Sequence, residues 1–368
     1  MRIALLTYST RPRGGVVHTL NLAEALAGLG QDVTVWTLGR GGDGGFFRPV
    51  APAVRQVVVP FPDREGEGVG ARVLRSIAVL REAFGERADE YDVVHAQDCI
   101  SANAVTRCLR TVHHIDRFTT PELAACHERA IAEPYAHVCV SEAVAAELAE
   151  GWGIAATVIP NGVEAARFAE AAGDGEDAVA ARRAWRARFG RYVLTVGGIE
   201  PRKGSLDLLE AYALVAGRVP GLRLVIAGGE TLFDYRGYRA RWEERAAELG
   251  VTPEVLGPVP HGELPALVAA AAAFAFPSVK EGFGLAAMEA LAAGVPLVTR
   301  DLPVLRDVFG GAALFAADVP GLAAALRSAL DNPDPRLRHA GRALAARHTW
   351  ADAARAHLAL YRSLAPSR

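Results

Sequence analysis

Phe276-Pro277-Ser278-Val279-Lys280-Glu281-Gly282-Phe283-Gly284-Leu285-Ala286-Ala287-Met288-Glu289-Ala290-Leu291-Ala292-Ala293-Gly294-Val295-Pro296-Leu297-Val298 is the stretch on which the reading of this chain turns. The apolar run from Ala269 to Phe276 predicts a buried strand closed by Pro277. Two glycines flank Phe283, residues 284–293 predict a helix ended by Gly294, and Val295-Pro296-Leu297-Val298 starts a further strand. Glu281 is thereby placed in a strand-to-helix loop and Glu289 about two turns into the helix. Main-chain N–H groups at the helix start, around Gly282, Phe283, Gly284 and Leu285, suit a bound phosphate because neither glycine puts a side chain in the way. Two solvated glutamates on an ordinary βα unit would show the same carboxylate spacing. The distinction rests on the neighbours: Pro-Ser before, Gly-Phe-Gly between, Ala-x-Gly-x-Pro after.

This stretch resembles the Glu-x7-Glu signature of the retaining glycosyltransferases of family 4, the glycosyl transferases group 1. The resemblance implies an α/β fold of the GT-B type, with two Rossmann-like α/β/α domains facing each other across a cleft and a C-terminal helix crossing back to the first. Residues 1–168, with the last helix at about 349–368, would form the acceptor-binding domain, and residues 169–348 the domain that binds the nucleotide sugar. It implies transfer of a hexose-type sugar from a nucleoside-diphosphate sugar to an acceptor, with retained anomeric configuration and no metal.

The whole-chain numbers are compatible with this. A length of 368 residues suggests two domains, and 51% hydrophobic content supplies two cores. A net charge of −2 gives no reason to expect nucleic acid as a partner. No apolar run reaches membrane-spanning length, and Met1 leads straight into a strand-like segment, so neither a signal peptide nor a membrane span is expected and the cytoplasm is the default. Cys99, Cys108, Cys126 and Cys139 form no C-x-x-C pair and read as reduced thiols. There is no Asp-x-Asp carboxylate clamp and no close H-x-x-x-H pair, so a bound metal is not expected, nor any cofactor beyond the donor itself. Of the 40 Lys and Arg residues only Lys203 and Lys280 are lysines, and both lie in stretches chosen on other grounds. A compact ammonium suits a diphosphate as a point charge.

Taken in order, Arg2 to Tyr8 predicts a buried strand, Ser9 to Gly15 a loop, Val16 to Leu29 a helix, and Val33 to Trp36 a second strand. Gly14-Gly15 are not a G-x-G-x-x-G fingerprint, which removes the main support for a dehydrogenase. In the family a glycine-rich loop here lets the backbone approach the donor phosphates and acceptor, so the resemblance places Gly14 and Gly15 among the donor-binding residues. Gly39 to Gly45 reads as a loop, Val57 to Pro60 as a short strand, and about 71–87 as a basic amphipathic helix. Such a helix could touch an anionic membrane surface, but the first 165 residues hold more acids than arginines, so a solvated face is favoured.

Asp92 to His95 and Arg110 to His114 are two short strands ending in histidine. A histidine at the carboxyl end of a parallel strand lies on the ligand-binding edge of an α/β sheet. His113 resembles the family's strand-end histidine, which reaches the donor sugar beside the reacting carbon; His95 reads as a packing residue and His114 is left open. Ser141 caps a predicted helix from Glu142, and Ile159-Pro160-Asn161-Gly162-Val163 resembles the close of the family's first domain. Glu164 to about Arg191 reads as a linker and one charged helix. Tyr192 to Gly198, then Glu200-Pro201-Arg202-Lys203-Gly204, resembles the family's Gly-Arg-x4-Lys-Gly element, with Gly198 where an arginine is usual and Arg202 in its place. Arg223 to Gly229, followed by Glu230, predicts a strand and glycine turn, and 349–364 the final helix.

The resemblance assigns Arg202 and Lys203 to the diphosphate, Glu289 to the ribose hydroxyls, and Glu281 to the donor sugar. It makes His113, Glu281 and Lys203 the catalytic set. The partners expected are a nucleotide-sugar donor of unidentified base and an acceptor that is a small molecule, glycan or lipid. A nucleotide-sugar epimerase and a non-catalytic nucleotide-sugar-binding protein are the alternatives; the first would turn over without an acceptor, the second not at all.

Overall fold

The computed structural model describes residues 1–116, 118, 120–228 and 235–364. The chain divides into two compact units, Met1–Gly162 with Trp350–Arg368, and Val163–Thr349. The expected Gly229 turn and Glu230 lie outside the described residues.

The first unit holds a seven-stranded parallel sheet in the order β3-β2-β1-β4-β5-β6-β7. Its strands are β1 (Arg2–Leu6), β2 (Asp32–Arg40), β3 (Val54–Phe61), β4 (Val93–Ala96), β5 (Leu109–Val112), β6 (Ala136–Cys139) and β7 (Thr157–Val158). A parallel sheet buries both faces under helices, which explains the nearly continuous apolar runs of β1 and β2. The expected second strand is longer than predicted. β2 runs nine residues to Arg40 and pairs with β3 as far as Phe61, so Gly39 belongs to a strand and not to a loop. The loop reading failed because glycine lowers local strand propensity, while a paired neighbour can override it. The Gly14–Gly28 helix likewise begins earlier than expected and takes Gly14 and Gly15 into its first turn. The basic helix spans Val69–Gly85. Its Arg75 is paired with Glu67 at 2.6 Å over the Phe61 ring, and Arg81 donates to the Asn103 carbonyl, so both serve the unit's own packing. Ser141 Oγ accepts from Val144 N–H, as a cap should.

The last helix, Trp350–Leu364, packs into this first unit. Ala354, Leu358 and Tyr361 join a core with Ile3, Val16, Leu20 and Val35, and Tyr361 Oη lies 2.7 Å from His95 Nδ1. His95 Nε2 pairs with Thr111 Oγ1 at 2.7 Å, which satisfies the packing role read for it.

The second unit holds a six-stranded parallel sheet in the order β10-β9-β8-β11-β12-β13. These are β8 (Tyr192–Val196), β9 (Arg223–Ala227), β10 (Glu254–Gly257), β11 (Ala273–Phe276), β12 (Leu297–Arg300) and β13 (Leu314–Ala316). The apolar run read as one strand from Ala269 splits in two: helix Leu264–Ala270 and strand Ala273–Phe276. An unbroken apolar run cannot tell a buried helix from a buried strand by periodicity; here Pro265 opens the helix at its first turn. The segment read as linker plus one helix forms two helices, Ala165–Ala171 and Glu176–Phe189, which pack on Leu264–Ala270 and bury Phe168 and Phe189. Among the described residues no helix is long and apolar enough to cross a membrane.

Candidate active site

In each sheet the chain reverses its direction of growth between two central neighbours, β1 and β4 in the first unit and β8 and β11 in the second. At such a switch point the loops leaving the carboxyl ends part company and leave a crevice where ligands bind.

In the second unit the two loops at that point are Gly197 to Gly204 and Pro277 to Gly284. They approach until main chain touches main chain. Gly204 has φ +63°, and a Cβ on it would lie 2.2 Å from the Pro277 carbonyl oxygen. Val279 N–H donates to the Arg202 carbonyl at 2.9 Å. This contact brings together the residues picked from the sequence. Lys203 Nζ sits 2.7 Å from Glu281 Oε2, and Arg202 reaches the same oxygen at 3.5 Å. Arg202 also donates to Glu200 Oε1 at 3.2 Å, and Glu200 is buried. The Lys203 ammonium lies 5.1 Å from the centre of the Phe276 ring, and its stem passes the Gly197 backbone.

Two residues of this crevice were not picked from the sequence. Ser278 is fully buried, its Oγ has no hydrogen-bond partner among the described residues, and with Lys203, Gly197 and Pro277 it lines a small cavity between the loops. The Pro-Ser pair was noted only as a flank; an unpaired buried hydroxyl is visible in three dimensions alone. Glu200, the carboxylate that holds Arg202, was read as part of a turn.

Gly284 takes φ +95° just before helix Leu285–Ala292, with Phe276 and Phe309 packed where a Cβ would stand. The free N–H groups of that helix start therefore follow directly on the Glu281 loop. The ring of Phe283 is buried against His348, with centroids 5.6 Å apart, so its main chain, the part expected to meet a phosphate, is what it leaves for a ligand. Glu289 is half-buried on the helix. Burial, reinforced by the charge of Glu164 and opposed by Arg167, pushes its carboxyl up to about 8.

In the first unit, His113 follows β5 directly. The first turn of helix Gly14–Gly28 lies on the imidazole: a Cβ on Gly15 would make ordinary contact with His113 Cδ2 and Nε2 at 3.7 Å, whereas Gly14 has no such neighbour. His18, one turn on, meets the His113 ring edge-on at 4.7 Å, and its Nδ1 is 2.8 Å from Asn161 Oδ1. Asn161 comes from the Ile-Pro-Asn-Gly-Val stretch, which thereby orients the helix face beneath His113. Among the described residues His113 Nε2 has no partner, and burial pulls the imidazole down to about 3, so it is neutral near pH 7. His114 lies half-exposed, 3.1 Å from Asp116. Among the described residues no group of three or more His, Cys, Asp or Glu is arranged to hold a metal ion.

The model of the glycosyl transferases group 1 matches residues 184–347, and that of Glycosyltransferase Family 4 matches residues 12–167. The chain is 30% identical to the glycogen synthase of Mycobacterium tuberculosis H37Rv, over 98% of this chain and 94% of that one. It is 29% identical to the phosphatidyl-myo-inositol mannosyltransferase of Mycolicibacterium smegmatis, over 93% and 88%. Its fold matches sucrose-phosphate synthase from Thermosynechococcus elongatus with a TM-score of 0.77 at 20% identity, covering 99% of this chain and 98% of that one. Anabaena HepE, solved with UDP and glucose, matches with a TM-score of 0.75 at 18% identity, over 99% and 100%. The fold is GT-B.

Proposed function

The chain belongs to the glycosyl transferases group 1, and on that premise we propose that the crevice between β8 and β11 holds the diphosphate of the donor. The protein is a glycosyltransferase that moves a hexose from a nucleotide sugar to an acceptor. The observation that carries the placement is the pairing of Lys203 and Arg202 on one oxygen of Glu281 at the sheet's switch point. Lys203 and Arg202 are balanced there by two carboxylates, Glu281 and Glu200, so both cations are held at the crevice where a diphosphate can compete for them.

Breaking the anomeric bond puts negative charge on the departing diphosphate, and preorganised cations and N–H dipoles stabilise charge that develops in the transition state. Lys203, Arg202 and the N–H groups opening helix Leu285–Ala292 fill that role. Glu281 holds hydroxyls of the donor sugar, and Glu289 accepts from the ribose hydroxyls. In the first unit, His113 offers a neutral imidazole to a substrate hydroxyl, and the acceptor binds to that unit. Configuration is retained by a front-face route, in which the leaving phosphate takes the acceptor's proton. HepE's ligands make UDP-glucose the first donor to try. The relatives' names cover glycogen, a phosphatidyl-inositol and an inositol phosphate, which leaves the acceptor as a hydroxyl compound of open class.

The test is nucleoside-diphosphate release from UDP-, GDP- and ADP-sugars against a panel of hydroxyl acceptors, with the product's anomeric configuration read by NMR. Acceptor-dependent release with retention, lost in Glu281→Gln, supports the reading. Inverted product, or release that is unchanged in Lys203→Ala, overturns the assigned mechanism or site.

A further inference from the structure

A cavity of about 340 Å³ opens at the opposite, amino-terminal edge of the second sheet, walled by the chain entering β11 and β12. Arg182, Arg186, Arg338 and Arg342 line it, and among the described residues no acidic one does. Among the described residues none of the four is paired with a carboxylate. Arg182 donates to the Ala171 and Gly173 carbonyls, Arg186 to Ala270 at 3.3 Å and Arg342 to Ala293 at 3.4 Å.

Ala171 and Ala270 end the Ala165–Ala171 and Leu264–Ala270 helices, and Ala293 follows Leu285–Ala292. Three helix carboxyl ends therefore converge here, and capping them accounts for three of the arginines. It does not account for the charge. Each helix end is worth roughly half a negative charge, about 1.5 in all, against four guanidinium groups. An excess of roughly two to three positive charges remains. Nor does capping use up the donors, since a guanidinium carries about five N–H groups and these bonds take only one or two apiece. Arg186, Arg338 and Arg342 are exposed and Arg182 is half-buried, so their free N–H groups face solvent. Gly294, at φ +74°, leaves room for the Arg342 guanidinium, whose Nε would lie 2.5 Å from a Cβ at that position.

We propose that this cavity binds a small phosphorylated anion, distinct from the donor. A phosphomonoester or pyrophosphate carries two to three negative charges, which matches the excess, and guanidinium forks suit phosphate oxygens. The volume is of the size that holds small-molecule ligands. Strand β11 and helix Leu285–Ala292 both run from this cavity to the loops of the donor crevice, so the two sites share their walls but lie on opposite edges of one sheet.

The experiment is calorimetric titration of the full chain carrying Lys203→Ala, which takes the main cation out of the donor crevice, with inorganic pyrophosphate in one arm and glucose 6-phosphate in the other. Binding of either at one site per chain is expected, weakening with added NaCl and falling about tenfold or more in the additional double variant Arg338→Ala/Arg342→Ala. Arg338→Gln alone, which touches no cap, should weaken it in the same direction with the melting temperature unchanged. Preference for glucose 6-phosphate over pyrophosphate would mark an ester as the ligand; equal binding would mark the phosphate alone. No binding of either anion, or binding indifferent to both arginine variants, overturns the proposal. This test does not depend on the donor reading.

Discussion

Glu281 is the residue on which the proposed mechanism turns, and one of its carboxylate oxygens meets both Lys203 and Arg202. Replacing Lys203 by Ala removes a preorganised cation, and kcat is expected to fall on the order of 100- to 1,000-fold with the fold intact. Steady-state kinetics against circular dichroism checks this; a change in KM alone would show that Lys203 only binds. Glu289 makes a second prediction, through pH. Its carboxyl lies at about 8 in the folded chain against an ordinary value of 4.5. Between those values the folded state keeps a proton that the unfolded chain releases, so this group's contribution is full below pH 4.5 and is lost as pH rises through about 8. Donor binding should run the other way, strengthening as pH rises toward and past 8, because the ionised carboxylate is the better acceptor for ribose hydroxyls. Glu289→Gln should abolish both trends, read by melting temperature and by titration with nucleoside diphosphate. A retained trend in the variant would assign it to another group.

At the scale of elements, the loops at the switch point depend on backbone that only glycine supplies. Gly284→Ala puts a Cβ 3.0 Å from Phe276 Cε1 and Phe309 Cζ at φ +95°. A cost of about 1–3 kcal/mol is expected, together with weaker nucleotide binding, because the N–H groups of helix Leu285–Ala292 would be re-aimed. Denaturant unfolding and titration measure the two parts. The last helix offers a comparable test in the first unit. Tyr361→Phe leaves buried His95 Nδ1 without its partner and should cost about 1–3 kcal/mol, whereas a surface change such as Arg362→Ala should be nearly silent.

For the whole molecule, the two units are predicted to respond to acid in opposite senses. Burial holds His18 and His95 well below the ordinary 6.5 and brings His113 to about 3 and His357 to about 4. The unfolded chain would take up protons on these rings below pH 6.5 that the folded one refuses. Their contribution to the first unit is therefore present above 6.5 and lost as pH falls toward 4 and 3, whereas Glu289 favours the second unit in acid. Calorimetry between pH 5 and 8 should show the first unit's transition falling with acid; a transition that does not move would refute the assignment of neutral buried histidines. Cutting the chain after Thr349 removes Ala354, Leu358 and Tyr361 from the first unit's core, so that unit should lose cooperative unfolding while nucleotide binding by the second persists.

The order of strands and helices, the Glu-x7-Glu stretch, the lone pair of lysines and the strand-end histidine were legible from the chain alone. Each is a local pattern: apolar runs, glycine punctuation and residue type are properties of neighbours along the sequence. Segment type was misread where locality fails. The run from Ala269 became half helix, and Gly39 joined a strand, because burial and pairing with distant residues chose between conformations the local sequence permits equally. The same holds at the site. Phe283 turned inward to His348, Ser278 was left with an unpaired hydroxyl among the described residues, and Glu289 was half-buried, which raises its carboxyl. Four arginines spread over residues 182–342 meet around one cavity that no spacing announces. Residue identity sets which charges and backbone freedoms exist; only the folding of distant segments onto one another decides which of them meet and which are taken out of water.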